Sequence, residues 1–363
     1  MLITERNELQ RFGTENRLWQ GIPGIEVSQG GRIFSCFYSG GTGEEIGNYT
    51  VVLMSEDGVS FSEPVAVVRV RDARCYDPCL WLDPLGRLWL IWAMMPQMEV
   101  WAVICEAPDS FELKWSEPFL IGKDVMMNKP TVLSTGEWLF PVAVWSRRLR
   151  ELLTKENNPD RETGAYVYRT VDQGKTFQKM GGVDVPERSF DEHMILELSD
   201  GRLACYVRTS YGIGVSYSYD KGLTWTQGTD SGLGGPCSRF HIRRLPSGRI
   251  LLINHHQYAS RDHLTALLSE DEGVTWKYRL LLDERQQVSY PDVAVDKEGF
   301  LYITYDRERG AGKATPEEAC KCAREILYAR ITEEDIIAGK IVNENSFLKR
   351  VISKLGEYKG ELT

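Results

Sequence analysis

The chain has 363 residues, 42% of them hydrophobic, and a formal net charge of −9 at pH 7. That balance argues against nucleic acid or an anionic membrane as a partner. No apolar run reaches the ~18 residues that a transmembrane helix needs. The length exceeds one ordinary β-sandwich and suits one propeller, and ten Trp with 33 Gly fit stacked sheets joined by tight turns.

The segment from Met1 to Glu8 lacks the basic and apolar parts of a signal peptide, so a cytoplasmic location is expected. The eight Cys include no CxxC pair and are expected as free thiols in a reducing compartment. From Ile22 onward a strand, a Gly turn and a second strand recur six times. The units run Ile22–Arg32, Asp77–Arg87, Lys129–Glu137, Glu192–Arg202, Arg239–Arg249 and Tyr290–Phe300. Their flanks are near-continuous apolar runs, such as Leu88–Trp92 and Ile250–Ile253, which suit strands buried on both faces.

A second repeat supports the same count. Thr170-Val171-Asp172-Gln173-Gly174-Lys175-Thr176-Phe177, Ser218-Tyr219-Asp220-Lys221-Gly222-Leu223-Thr224-Trp225 and Ser269-Glu270-Asp271-Glu272-Gly273-Val274-Thr275-Trp276 share one pattern, and Ser55–Phe61 is a copy one residue short. Each reads as a turn in which Asp bonds the backbone and Gly permits positive φ. The last three begin 48 and 51 residues apart; the first interval, 115 residues, holds a worn copy from Ala107 to Trp115. A period near 50 marks a propeller or an array. The expected fold is all-β, a six-bladed β-propeller over residues 1–331. Residues before Trp19 are expected to supply the outer strand of blade six. Two charged insertions, Ser146–Gly164 and Arg307–Arg324, follow second strands and are expected to overhang the channel mouth. Residues 332–363 read as a helical appendage packed on the propeller, with a capping pattern from Thr332 to Asp335 and an amphipathic stretch at Phe347–Leu355.

Propeller geometry places function where inner strands begin and second strands end, with the Asp turns at the opposite end. The residues opening the inner strands are Ile22, Asp77, Lys129, Glu192, Arg239 and Tyr290. Those closing the second strands are Tyr38, Ala93, Ala143, Arg208, His255 and Asp306. The five His fall in blades four and five, but adjacent His255 and His256 point to opposite faces of a strand, so no metal or cofactor is assigned.

The Asp turns, the six units and the stretch Phe190–Arg208 together resemble the sialidases (neuraminidases), over roughly Trp19 to Ile331. The resemblance implies a retaining exo-glycosidase acting on a terminal acidic sugar, sialic acid first, with a glycan as the partner. It implies Tyr290 as nucleophile, Glu192 as its base, and Arg208 and Arg261 as sugar-carboxylate ligands. Glu44 or Glu45 would be the acid/base. A neutral Tyr suits a sugar whose anomeric carbon carries a carboxylate, because an anionic nucleophile would be repelled. Asp77, Lys129, Arg239 and His255 complete the expected substrate-binding ring. The family's first Arg is replaced by Gly21, which leaves Arg239, Lys129 or Arg74 to supply a third cation, or points to a glycosidase or lyase of the same fold acting on another sugar such as a uronic acid. Gly21→Arg is then expected to raise affinity for sialic acid. A non-catalytic carbohydrate-binding propeller is the remaining class, and oligomeric state is open.

Overall fold

The computed structural model describes residues 1–146, 162–310 and 315–356. Among them are six antiparallel sheets arranged as the blades of a propeller. The innermost strands are Trp19–Val27, Arg74–Leu82, Thr131–Val132, Arg188–Glu197, His241–Arg244 and Val288–Val295. Each pairs outward with the strand after its Gly turn: Ile33–Gly40, Leu88–Met95, Trp138–Val144, Leu203–Thr209, Ile250–Asn254 and Leu301–Arg307.

The core lies between neighbouring blades. One cluster joins Leu251, Leu264 and Leu268 of blade five to Val293, Leu301 and Ile303 of blade six. Another packs Trp81 and Trp89 of blade two against Trp138 and Phe140 of blade three. Strands buried on both faces explain the continuous apolar runs in the sequence.

The Asp turns form as expected. Ser218 Oγ accepts the Gly222 amide at 2.8 Å, and Asp220 accepts the Thr224 amide at 2.9 Å and the Thr224 hydroxyl at 2.6 Å. The same set recurs around Asp172 and Asp271. These turns join third to fourth strands, at the end of the propeller away from the inner-strand starts. In the worn copy, Asp109 instead accepts the Gly30 amide of blade one at 2.9 Å and so ties two blades together.

Ring closure differs from the expectation. The segment before Trp19 adds Leu2–Ile3 as a fifth strand to blade one, beyond Ala66–Val68. The outer strand of blade six is Phe347–Lys354, from the stretch expected to be helical. Among its described residues the appendage contains one short helix, Glu333–Ala338, which has the expected Thr332–Asp335 capping box and ends at Gly339 with φ 67°. The reason is the edge left by Glu325–Ile331: its unpaired backbone needs a partner, and β-branched Val351 and Ile352 fit a pleated strand. Stopping the chain at Ser346 should therefore lower Tm by many degrees and promote aggregation, as read by thermal melting with light scattering. An unchanged melt would show that this strand contributes nothing.

Candidate active site

Four inner-strand openers share one backbone device. Ile22, Asp77, Glu192 and Tyr290 have φ of 58°, 48°, 38° and 57°. Each lies where the register between first and second strands shifts, at Gly21/Gly24, Tyr76/Cys79, Asp191/Met194 and Ser289/Asp292. Positive φ in non-Gly residues costs of order 1–3 kcal/mol each, and such bulges re-aim side chains near functional sites. The same strained turn at equivalent positions in blades one, two, four and six sets four side chains on one rim.

Lys129 and Arg239 lack that turn and are drawn a layer deeper. Lys129 Nζ donates to the Ile25 carbonyl at 2.7 Å and to Glu26 at 2.9 Å, and lies 3.3 Å from Asp292. Arg239 donates to Asn128 Oδ1 at 2.7 Å and reaches Asp292 at 3.4 Å. Both cations are committed to an interblade network centred on buried Asp292. They do not join the rim.

The rim itself is compact. Glu192 Oε1 accepts the Tyr290 hydroxyl at 2.9 Å and Arg208 Nη1 at 2.6 Å. Arg208 Nη1 also donates to the Tyr290 oxygen at 3.1 Å. All three residues are buried, and the Phe190 ring covers the Arg208 guanidinium at 4.9 Å. Burial and the Glu192 charge push the Tyr290 phenol up to about 12, against the pull of Arg208, Arg309 and Arg261. At neutral pH it is a neutral hydroxyl whose proton must be taken by a base, and Glu192 is in hydrogen-bond reach.

Two further guanidinium groups face the same ring, Arg261 at 5.4 Å and Arg309 at 4.6 Å from its centroid. Arg261 donates to the Cys237 carbonyl at 3.1 Å and has no carboxylate partner among the described residues. Arg309 comes from the second insertion and was not legible as a site residue in the sequence. The first insertion lies largely outside the described residues.

The remaining carboxyls divide by environment. Glu44 binds Arg74 at 2.8 Å and lies 3.7 Å from Arg309. Burial raises its pKa, but Arg309 and Arg74 together outweigh that and hold it below the ordinary glutamate value. Glu45 turns back on its own loop, where Oε1 accepts the Thr42 amide at 3.1 Å. Asp77 is buried beside Glu192 and is pushed up to about 7, by burial first and by the Glu192 and Glu44 charges against Arg74. Arg74 also donates to the Tyr38 hydroxyl at 2.6 Å. His255 is held by the Asp262 carbonyl at 2.8 Å, and burial lowers its pKa to about 4.

Because the folded-state pKa of Asp77 exceeds its unfolded value, the folded protein binds the extra proton between pH ~4 and ~7. The stability it contributes is present at low pH and is lost as pH rises through about 7. Asp77→Asn should thus raise Tm relative to wild type at pH 8 by a few degrees more than at pH 5. Equal shifts at both values would refute a buried protonated Asp77.

The six sheets form a sialidase-like six-bladed propeller, and Tyr290, Glu192 and Arg208 lie together at one mouth. The model of the BNR repeat-like domain matches residues 31–303, and the chain belongs to that family. No curated protein matches the chain. Among solved structures, the Hadza microbial sialidase Hz136 is 18% identical over 81% of this chain with a TM-score of 0.65, and this chain spans 65% of that protein's length. The leech intramolecular trans-sialidase, complexed with 2,7-anhydro-Neu5Ac, is 14% identical over 90% of this chain and 70% of that one, with a TM-score of 0.68. An α-L-arabinofuranosidase from Fusarium graminearum is 11% identical over 88% of this chain and 94% of its own, with a TM-score of 0.58. At these identities the likeness is one of fold.

Proposed function

We propose that the protein is a retaining exo-glycosidase that removes a terminal acidic sugar, sialic acid first among them. The observation that carries this is the buried Tyr290–Glu192 hydrogen bond of 2.9 Å, bridged by Arg208 and flanked by Arg261 and Arg309. Arg208 is paired with Glu192, and Arg309 lies near Asp306 and Glu44, but Arg261 has no carboxylate partner among the described residues although it faces the same phenol ring. An anionic substrate would balance that charge, and Arg forks bind carboxylates bidentately.

In the first step the Tyr290 oxygen bonds the anomeric carbon while its proton passes to Glu192. The bond to the leaving oxygen breaks, and that oxygen takes a proton. We assign this donation to Asp77 rather than to Glu44 or Glu45. An acid with pKa about 7 still carries its proton at neutral pH, whereas Glu44 is held as a carboxylate by two arginines. In the second step water attacks the anomeric carbon, Asp77 takes the water proton, and Glu192 returns its proton to the departing Tyr290 oxygen. The Hadza protein, named a sialidase, and the leech protein, named an intramolecular trans-sialidase, support the sugar class, while the Fusarium protein of similar fold is named for another sugar.

The test is a panel of aryl glycosides that includes a sialoside, a glucuronide and an arabinofuranoside. Turnover of an acidic glycoside with retention of anomeric configuration, read by NMR, is expected. Its kcat/KM should fall as pH rises above about 7, and Asp77→Asn should abolish turnover of poor leaving groups while sparing good ones. Turnover of only the neutral arabinofuranoside would overturn the acidic-sugar reading.

A further inference from the structure

Position 21 carries no side chain, and the space beside it is taken by Arg309 from the second insertion. A Cβ placed on Gly21 would lie 2.3 Å from Arg309 Cδ, 2.8 Å from Arg309 Cγ and 3.3 Å from Asp306 Oδ2. The Arg309 side chain thus runs across the bare backbone of Gly21, through the space that any side chain at position 21 would enter. The neighbouring Ile22 amide donates to Asp306 Oδ2 at 2.8 Å, which pins the strand start to the same carboxylate that faces Arg309.

The Arg309 side chain is 12% exposed and oriented but not used up. Its Nε lies 3.5 Å from Asp306 Oδ2 and its Nη1 lies 3.7 Å from Glu44 Oε1. These contacts hold the charge in place without good hydrogen-bond geometry. Nη1 is buried and makes no hydrogen bond among the described residues. A guanidinium with a free, buried donor, 4.6 Å from the Tyr290 ring, is poised for an oxyanion. Asp306 and Glu44 keep the cation folded in the free protein, where it would otherwise be an unpaired buried charge.

We infer that Arg309 is a substrate-anion ligand, completing with Arg208 and Arg261 a three-arginine site for the carboxylate of an acidic sugar, and that Gly21 is the space its side chain requires. This rests on the reading of the protein as an acidic-sugar glycosidase. It also corrects the expectation for position 21: Gly21→Arg alone places a side chain into Arg309 and should weaken the site rather than restore it. The two positions are coupled, and only their exchange rebuilds a cation in the same place.

The test uses the full chain and two probes, the 2,3-didehydro glycal of sialic acid and glucuronic acid, each compared with its methyl ester by calorimetry. Wild type should prefer at least one acid over its ester. Arg309→Gln should reduce that acid's affinity by about ten- to a hundredfold, the range expected for charge-assisted hydrogen bonds, and leave ester binding unchanged. The exchange Gly21→Arg with Arg309→Gly should recover most of the preference, while Gly21→Arg alone should lose it. If wild type prefers an acid and Arg309→Gln keeps that preference, the assignment of Arg309 fails and the proposed function stands. If Arg309→Gln loses the preference but the exchange does not recover it, Arg309 holds the loop rather than the anion, and the inference is overturned. If wild type binds the esters as tightly as the acids, the acidic-sugar reading fails together with the inference.

Discussion

Glu192→Gln should lower kcat by roughly 10²–10⁴-fold on an acidic aryl glycoside, the range for removing a positioned base, and Tyr290→Phe, which removes the nucleophile, should lower it at least as much. The Phe variant removes one oxygen and two hydrogen bonds, to Glu192 at 2.9 Å and from Arg208 at 3.1 Å, while keeping the ring that Arg261 and Arg309 face. KM should change little if Tyr290 acts mainly in the chemical step. Glu192→Gln keeps the shape but cannot take the phenol proton, which burial holds tightly with a pKa of about 12. Glu192→Gln also removes the anionic partner of Arg208, so melting curves must accompany the kinetics. The double variant should be no worse than the poorer single one, because the two groups act as a unit. Multiplicative losses, or near-full activity in either single variant, would show that the pair is not the nucleophile and base.

The parts of this molecule that were legible in the sequence are those written more than once. The Gly turns and Asp turns each recur at a fixed period, and turn chemistry is local, so their count carried over into six blades. Position within the repeat also located Asp77, Glu192, Tyr290 and Arg208 before any geometry was known. What the repeat did not reveal was the bulge that separates Asp77, Glu192 and Tyr290 from Lys129 and Arg239. All five open an inner strand, but only the first three have the positive φ that turns them to the rim. Lys129 and Arg239 answer instead to Asp292, a charge buried two residues beyond Tyr290 on the same strand.

Elements outside the repeat were read less well, for a physical reason. Phe347–Lys354 has both helical and strand periodicity over eight residues, and the open edge of Glu325–Ile331 decides between them. Leu2–Ile3 is too short to carry any pattern and is placed by its pairing with Val67 and Val68. Arg309 lies in a charged insertion where one arginine among several looks like a solvated loop residue. Only its approach to Gly21, about 290 positions away in the chain, distinguishes it, and that contact belongs to tertiary structure.

Arg208 supplies the second large effect, on stability as well as on turnover. Its Nη1 is bonded to both Glu192 and Tyr290, and the side chains of Arg208 and Glu192 are 5% and 6% exposed. Removing one member of such a pair leaves the other buried without its counter-charge, which typically costs about 3–5 kcal/mol. Arg208→Leu should therefore lower Tm sharply and eliminate turnover. Adding Glu192→Gln should restore part of the lost stability, because the remaining amide carries no charge, while turnover stays absent. The measurement is a double-mutant cycle by chemical denaturation, with a coupling energy of about 1 kcal/mol or more expected for residues in direct contact. A coupling near zero would mean that the 2.6 Å contact between Arg208 and Glu192 does not stabilise the fold. Arg208 would then act through the substrate alone, and the variant should keep its stability while losing affinity for the acidic sugar.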